Sequence, residues 1–257
     1  MLQKKYRVTF LLAILVGVIW LAVTDRTPAP PDWDEALKVV IYPHNADGSD
    51  AAERFIAEQK PEDFEPITDF FTEQAARYEL PIARPFELLM GPPLASAPRS
   101  PPRSGNFLER LRWGLSIRWW QFRFRDHDNN PDIIVIAHHF APENRPSMPC
   151  PVAIDEYRLV IANLVAGEPD CQGLVIIAHE ILHTVGASDL HDLYTLIPRF
   201  PEGYAEPDRE PRYPQTHAEL MAPRIPIAPY SEKEAHSFDE VVIGQTTARE
   251  IGWIREN

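Results

Sequence analysis

The sequence predicts an α/β protein: a short, mostly parallel sheet, a long helix backing it, and a second helix built to hold a metal. Three observations predict this. Asp132 to His138 (Asp-Ile-Ile-Val-Ile-Ala-His) is a continuous apolar run of strand length, the pattern of a strand covered on both faces. Ser104 to Arg125 carries apolar residues at helical spacing on two sides. Leu174 to Val185 is apolar except for His179, Glu180, His183 and Thr184, so it reads as a buried helix with a polar purpose. A chain of 257 residues has room for one substantial core, and one domain plus appendages is the simplest division.

The N-terminus begins with Lys4, Lys5 and Arg7, followed by the apolar run Val8 to Val23. We read residues 1–24 as a membrane anchor or signal segment, with uncleaved attachment favoured because no small-x-small cleavage site follows. The basic end would stay in the cytoplasm and the body would lie outside it, periplasmic or at the cell surface, or secreted if the segment is cleaved. Residues 25–36 are a proline-rich linker, and 37–257 form the folded domain.

Within that domain Lys38 to Pro43 reads as a first strand, and Ala51 to Tyr78 as one or two helices broken at Pro61 and Pro66. Pro85 to Met90 suggests a second strand. Gly91 to Pro102 holds five prolines and must be a loop. In Ser104 to Arg125 one stripe is Phe107, Leu108, Leu111, Leu115, Trp119 and Phe122; the other is Trp113, Ile117, Trp120 and Phe124. Arginines surround both. Burial of both stripes is the plainer expectation; contact of one with a membrane surface is the alternative. Arg158 to Val165 reads as a strand after the one at 132–138. His138 and His139 close that earlier strand without metal-ligand spacing. Ser231 to Glu234 reads as a capped helix start, and Gln245 to Ile254 as a closing helix packed by Ile251 and Trp253.

The chemistry concentrates in Ile176 to Asp189. His179 and His183 lie four residues apart and so share one helix face. Two imidazoles at that separation can take two corners of a tetrahedral zinc, and Glu180 can accept a proton from water activated there. Gly186 permits the left-handed backbone that ends a helix and turns Asp189 back toward the histidines. His191 is a rival for third ligand, and Glu202 or Glu206 would be the ligand if a second helix carried it, which the surrounding prolines oppose.

His179-Glu180-x-x-His183-x-x-Gly186-x-x-Asp189 resembles the zinc signature of the metzincin metallopeptidases, in the variant with aspartate as third ligand. Ala218 to Pro223, with Met221, is similar to the methionine turn of that family. Most metzincins carry histidine where Asp189 stands. Some add a tyrosine ligand two residues after the methionine, where this chain has Pro223. The resemblance implies a zincin-like fold whose sheet has an antiparallel edge strand, in the region 132–165, along which an extended peptide substrate pairs. It implies a zinc-dependent endopeptidase with Zn2+ on His179, His183 and Asp189, and Met221 beneath the metal.

Cys150 and Cys171, the only cysteines, are expected to form a disulfide in an exported protein. The net charge of −13 repels phosphate backbones, so nucleic acid is not an expected partner; a peptide or protein substrate is, with the membrane reached through the N-terminal segment. The alternative function is a membrane-tethered, catalytically silent binding module of the same fold. Glu180 speaks against it, because a structural zinc site needs no base there.

Overall fold

The computed structural model describes residues 6–9, 11–12, 30–102, 107–124, 129–167 and 171–254, with the backbone alone for residues 171 and 172. Its centre is a five-stranded sheet of β1 (Leu37–Asn45), β2 (Phe86–Met90), β3 (Ile133–Phe140), β4 (Val152–Ile154) and β5 (Leu159–Val165), in the order β2-β1-β3-β5-β4. The first four in that order run parallel, and β4 lies antiparallel along the outer edge of β5. The protein is thus α/β with a mostly parallel sheet.

Both faces of the sheet are covered, which is why β3 reads as one unbroken apolar run. Val39, Ile41, Ile133, Val135, Val160 and Ala162 point to one side, against helix α2 (Glu65–Arg77) through Ile67, Phe70 and Phe71. Helix α4 (Cys171–His183) packs into the same layer; α1 (Asp50–Glu58) precedes α2 in the chain. Val40, Tyr42, Ile134, Ile136, Leu159 and Ile161 point to the other side, where α3 (Phe107–Arg123) inserts Ile117. The break between α1 and α2 falls at Lys60-Pro61 as expected, and the second proline sits in the first turn of α2, where its missing N–H costs nothing. Beyond α4 the chain forms two small ladders, β6 (Ala218–Glu219) with β9 (Val241–Val242) and β7 (Arg224–Ala228) with β8 (Ser231–Glu234), and ends in α5 (Gln245–Glu250).

Several expectations need correction. The antiparallel edge is a separate three-residue strand, β4, too short for any periodic signal. Ser231 to Glu234 is not a helix start: it is the second arm of a hairpin, with Glu232 opposite Pro226 and ion-paired diagonally to Arg224 at 3.4 Å. No apolar stripe follows those charges, so nothing would have held a helix against the core. The closing helix stops at Glu250 because Gly252 adopts φ +78, although Ile251 and Trp253 are buried as expected. Trp33, assigned to the linker, is buried: its indole N–H donates to the Ile251 carbonyl at 2.6 Å, and its ring meets Phe86 and Trp253 edge-on. The packed chain therefore starts before Leu37. Finally, α3 buries one stripe and exposes the other, so burial of both is wrong.

The N-terminal anchor lies largely outside the described residues; 6–9 and 11–12 are helical. Among the described residues no helix is long and apolar enough to cross a membrane. Cys150 is a free, exposed thiol, and the side chain of Cys171 lies outside the described residues, so the expected bridge is not seen among them.

Candidate metal centre

The site is built from α4 outward. Val175, Ile177, Ala178, Ile181, Leu182 and Val185 are buried, which fixes the rotation of the helix and turns His179 and His183 toward a cleft of about 540 Å³. Each imidazole is then oriented by its second nitrogen. His179 Nδ1 lies 2.9 Å from the Leu220 carbonyl, and His183 Nδ1 lies 2.8 Å from the Ala187 carbonyl. A carbonyl can only accept, so both Nδ1 atoms carry protons and both Nε2 atoms keep lone pairs for a metal.

The loop after α4 brings the third group. Gly186 N–H and Ala187 N–H return to the carbonyls of His183 and Leu182 at 3.1 and 3.0 Å, closing the helix. Gly186 has φ +109, a backbone conformation in which a side chain would be strained. Ser188 is tied to the Glu250 carboxylate by its N–H at 2.9 Å and its hydroxyl at 2.6 Å. Leu190 N–H donates to the Met221 carbonyl at 2.9 Å, and the Arg199 guanidinium donates to the Asp189 carbonyl. Held on both sides, Asp189 directs Oδ1 to within 3.3 Å of His179 Nε2 and 3.4 Å of His183 Nε2, while the two Nε2 atoms are 3.1 Å apart.

These separations test whether a metal fits. Zinc bonds of about 2.0–2.1 Å at tetrahedral angles place donor atoms about 3.3–3.4 Å apart. The three distances match that edge length to within about 0.3 Å. Three lone-pair atoms so close repel one another unless a cation or added protons lie between them. Burial disfavours the His183 imidazolium, yet Asp189, the Ala187 carbonyl and Glu180 lift it to about 9. Burial would raise the Asp189 carboxyl, but hydrogen bonds from three imidazoles hold it far below the carboxylate range. A cation would displace those protons.

His179, His183 and Asp189 are the metal-holding group among the described residues. His191, the rival, lines the same cleft and its Nε2 is 3.2 Å from Asp189 Oδ1, but it does not join that group. Its Nδ1 meets the Asp192 carbonyl at 3.1 Å, and the Asp189 carboxylate foremost, with that carbonyl, raises its pKa against burial. Glu206 is spent on Thr216 and Arg209, far from the cluster in bonding terms, and Glu202 lines a different hollow. His138 and His139 are buried on β3 and take no part.

Glu180 follows His179 into the cleft. Burial raises its carboxyl pKa first of all; the two histidines and an N–H from Ala153 of the edge strand pull the other way. The cleft wall is completed by Val152, Asp155, Leu196 and Pro223. No protein-family model matches the chain, and no curated protein is similar to it at a significant level. The site must be read from its own geometry.

Sequence reasoning missed three supporting carboxylates: Asp155 in the cleft, Glu250 behind Ser188, and Glu219. The last is fully buried beside Met221, which is buried too. Its oxygens accept from Met221 N–H, from Gly244 N–H at 3.1 Å and from the Thr247 hydroxyl at 2.7 Å. Those bonds hold the turn whose Leu220 carbonyl orients His179. A charge inside the apolar run Ala218 to Ala222 was the one available signal.

Proposed function

We propose that this chain is a zinc-dependent endopeptidase of metzincin type, with His179, His183 and Asp189 as the metal ligands, acting on peptide bonds outside the cytoplasm. The observation that carries the reading is the trio of donor atoms at tetrahedral spacing beside a buried carboxyl, in a cleft bordered by an antiparallel edge strand. Among the described residues no fourth side chain joins the trio, which fits a catalytic site better than a closed structural one. Zinc, when bound, supplies positive charge that polarises a carbonyl and acidifies water.

The remaining roles belong to the protein. Glu180, with a carboxyl pKa raised by burial, takes the proton of the attacking water and returns it to the leaving amine. The edge of β4 offers backbone groups to an extended chain, so recognition of the main chain needs no particular side chain. Export with an N-terminal anchor, and the Cys150–Cys171 bridge that export would permit, belong to the same reading.

Glu180→Ala tests it. The variant should bind zinc like the parent and lose peptide cleavage by at least about a hundredfold, the size of a general-base contribution. Cleavage retained within a few-fold would remove Glu180 from the chemistry, and with it the peptidase reading.

A further inference from the structure

We propose that the outer face of α3 lies on the surface of an anionic lipid bilayer, a contact separate from the N-terminal segment and independent of the peptidase reading.

The helix is locked in rotation by its inner face. Ile117 is buried against the sheet, and Phe124 meets Tyr42 edge-on at 5.1 Å. Trp113 and Trp120 donate their indole N–H groups to the carbonyls of Arg99 and Ser96 at 2.8 and 3.3 Å. Arg118 adds an ion pair to Glu156 at 3.0 Å. The opposite face therefore has to point away from the protein. On it stand Phe107, Leu108, Leu115, Trp119 and Phe122, between 50% and 71% exposed. From Leu108 to Phe122 the spacing is helical and continuous, about 20 Å of apolar surface at 1.5 Å per residue. Exposed aromatic and aliphatic groups on this scale mark a binding surface.

Charge selects the occupant. Arg110, Arg112 and Arg123 of the helix are exposed, against Glu109 as its one acidic residue, in a chain whose net charge is −13. Positive charge gathered at the border of an apolar stripe matches anionic headgroups above acyl chains, and arginine stems can extend along the stripe to reach them. Arg123 already lies 5.8 Å above the Trp119 ring, placing a cation and an interfacial aromatic side by side. A second copy of this chain would set like-charged helices against each other, which disfavours it. Docked in this way, the sheet separates the lipid from α4, because α3 and α4 cover opposite faces. The metal helix would stand clear of the bilayer.

The test uses the full chain with vesicles containing about a third phosphatidylserine and brominated acyl chains, which quench tryptophan on contact. Trp33 and Trp253 are buried, and Trp113 and Trp120 face inward, so Trp119 is the tryptophan among the described residues that lipid reaches; the sequence adds Trp20 in the apolar N-terminal run. Trp119→Phe should remove about half the lipid-dependent quenching, and so should Arg110→Glu with Arg112→Glu and Arg123→Glu, since each surface arginine contributes about fivefold to anionic binding. All three arginines are exposed, so folding is retained, and circular dichroism checks it. Quenching of the Trp119 component should fall in zwitterionic vesicles and at high salt. The proposal is overturned by quenching that is unchanged in Trp119→Phe. It is equally overturned if Trp119 is shielded from acrylamide without lipid, in proportion to protein concentration (a second copy) or independently of it (the N-terminal segment).

Discussion

Exchanging Glu219 for glutamine changes one buried oxygen into an NH2 group and should loosen the metal site without touching it. Three donors converge on the native carboxylate: Gly244 N–H and the Thr247 hydroxyl on Oε1, Met221 N–H on Oε2. A glutamine oxygen can serve the first two, and its NH2 must then face the Met221 N–H. One buried donor is left unsatisfied, at about 1–3 kcal/mol, with donor–donor repulsion added. The turn that shifts carries the Leu220 carbonyl, the orienting partner of His179 Nδ1. Loss of such a partner lowers metal affinity by about 10–100-fold. The pH dependence supplies a second signature. Burial lifts the Glu219 carboxyl to about 7 from an ordinary 4.5, against the pull of its three donors. Between those values the unfolded chain has released the proton while the folded chain still holds it, so stability falls as pH rises through that window, by about 3 kcal/mol in all. E219Q lacks this slope. Zinc competition against a chelator and urea denaturation from pH 4.5 to 8 measure both effects. Unchanged zinc affinity together with an unchanged pH slope would refute the role assigned to this carboxylate.

Asp189→Ala should lose zinc and activity together, because it removes one of three ligands; Asp189→His should keep metal, and zinc analysis of the purified variants decides. Zinc lost in His191→Ala but retained in Asp189→Ala would reverse the ligand assignment. On the sheet, burial foremost, and then His44, depresses His139 to about 4 from an ordinary 6.5. The unfolded chain then takes up a proton that the folded chain refuses, so stability is lost as pH falls from 6.5 to 4, by about 3 kcal/mol. His139→Leu should flatten that acid limb in thermal melts, and an acid limb identical to the parent's would show that this histidine does not drive it.

Much of this architecture is visible in the residues because it rests on local periodicity. β1, β2, β3 and β5 were all legible as short apolar runs, and α4 as an apolar helix interrupted by two histidines at one-turn spacing. β4 was not, because Val152-Ala153-Ile154 between Pro151 and Asp155 is too short to carry a pattern; only its pairing with β5 makes it a strand. The 224–234 hairpin was hidden by Pro226 and Pro229 and by a charge run that resembles a capped helix. Trp33 looked like linker because prolines precede it, and its partners Ile251 and Trp253 lie more than two hundred residues away. The same distance effect concealed Glu219 and Glu250. Apart from the nearby Met221 N–H, their roles are set by the Gly244 and Ser188 N–H groups and the Thr247 and Ser188 hydroxyls, which only the fold brings near. The ligand spacing, by contrast, is nearly all local: His179, His183, Gly186 and Asp189 occupy eleven consecutive positions.

The central claim is tested most directly by metal analysis of the purified full chain alongside its cleavage of a peptide library, before and after treatment with a chelator. One zinc per chain is expected, with cleavage abolished on removal of the metal and restored when zinc is returned. A chain that holds no zinc after growth in zinc-replete medium, or one whose cleavage persists unchanged once the metal is gone, would contradict it.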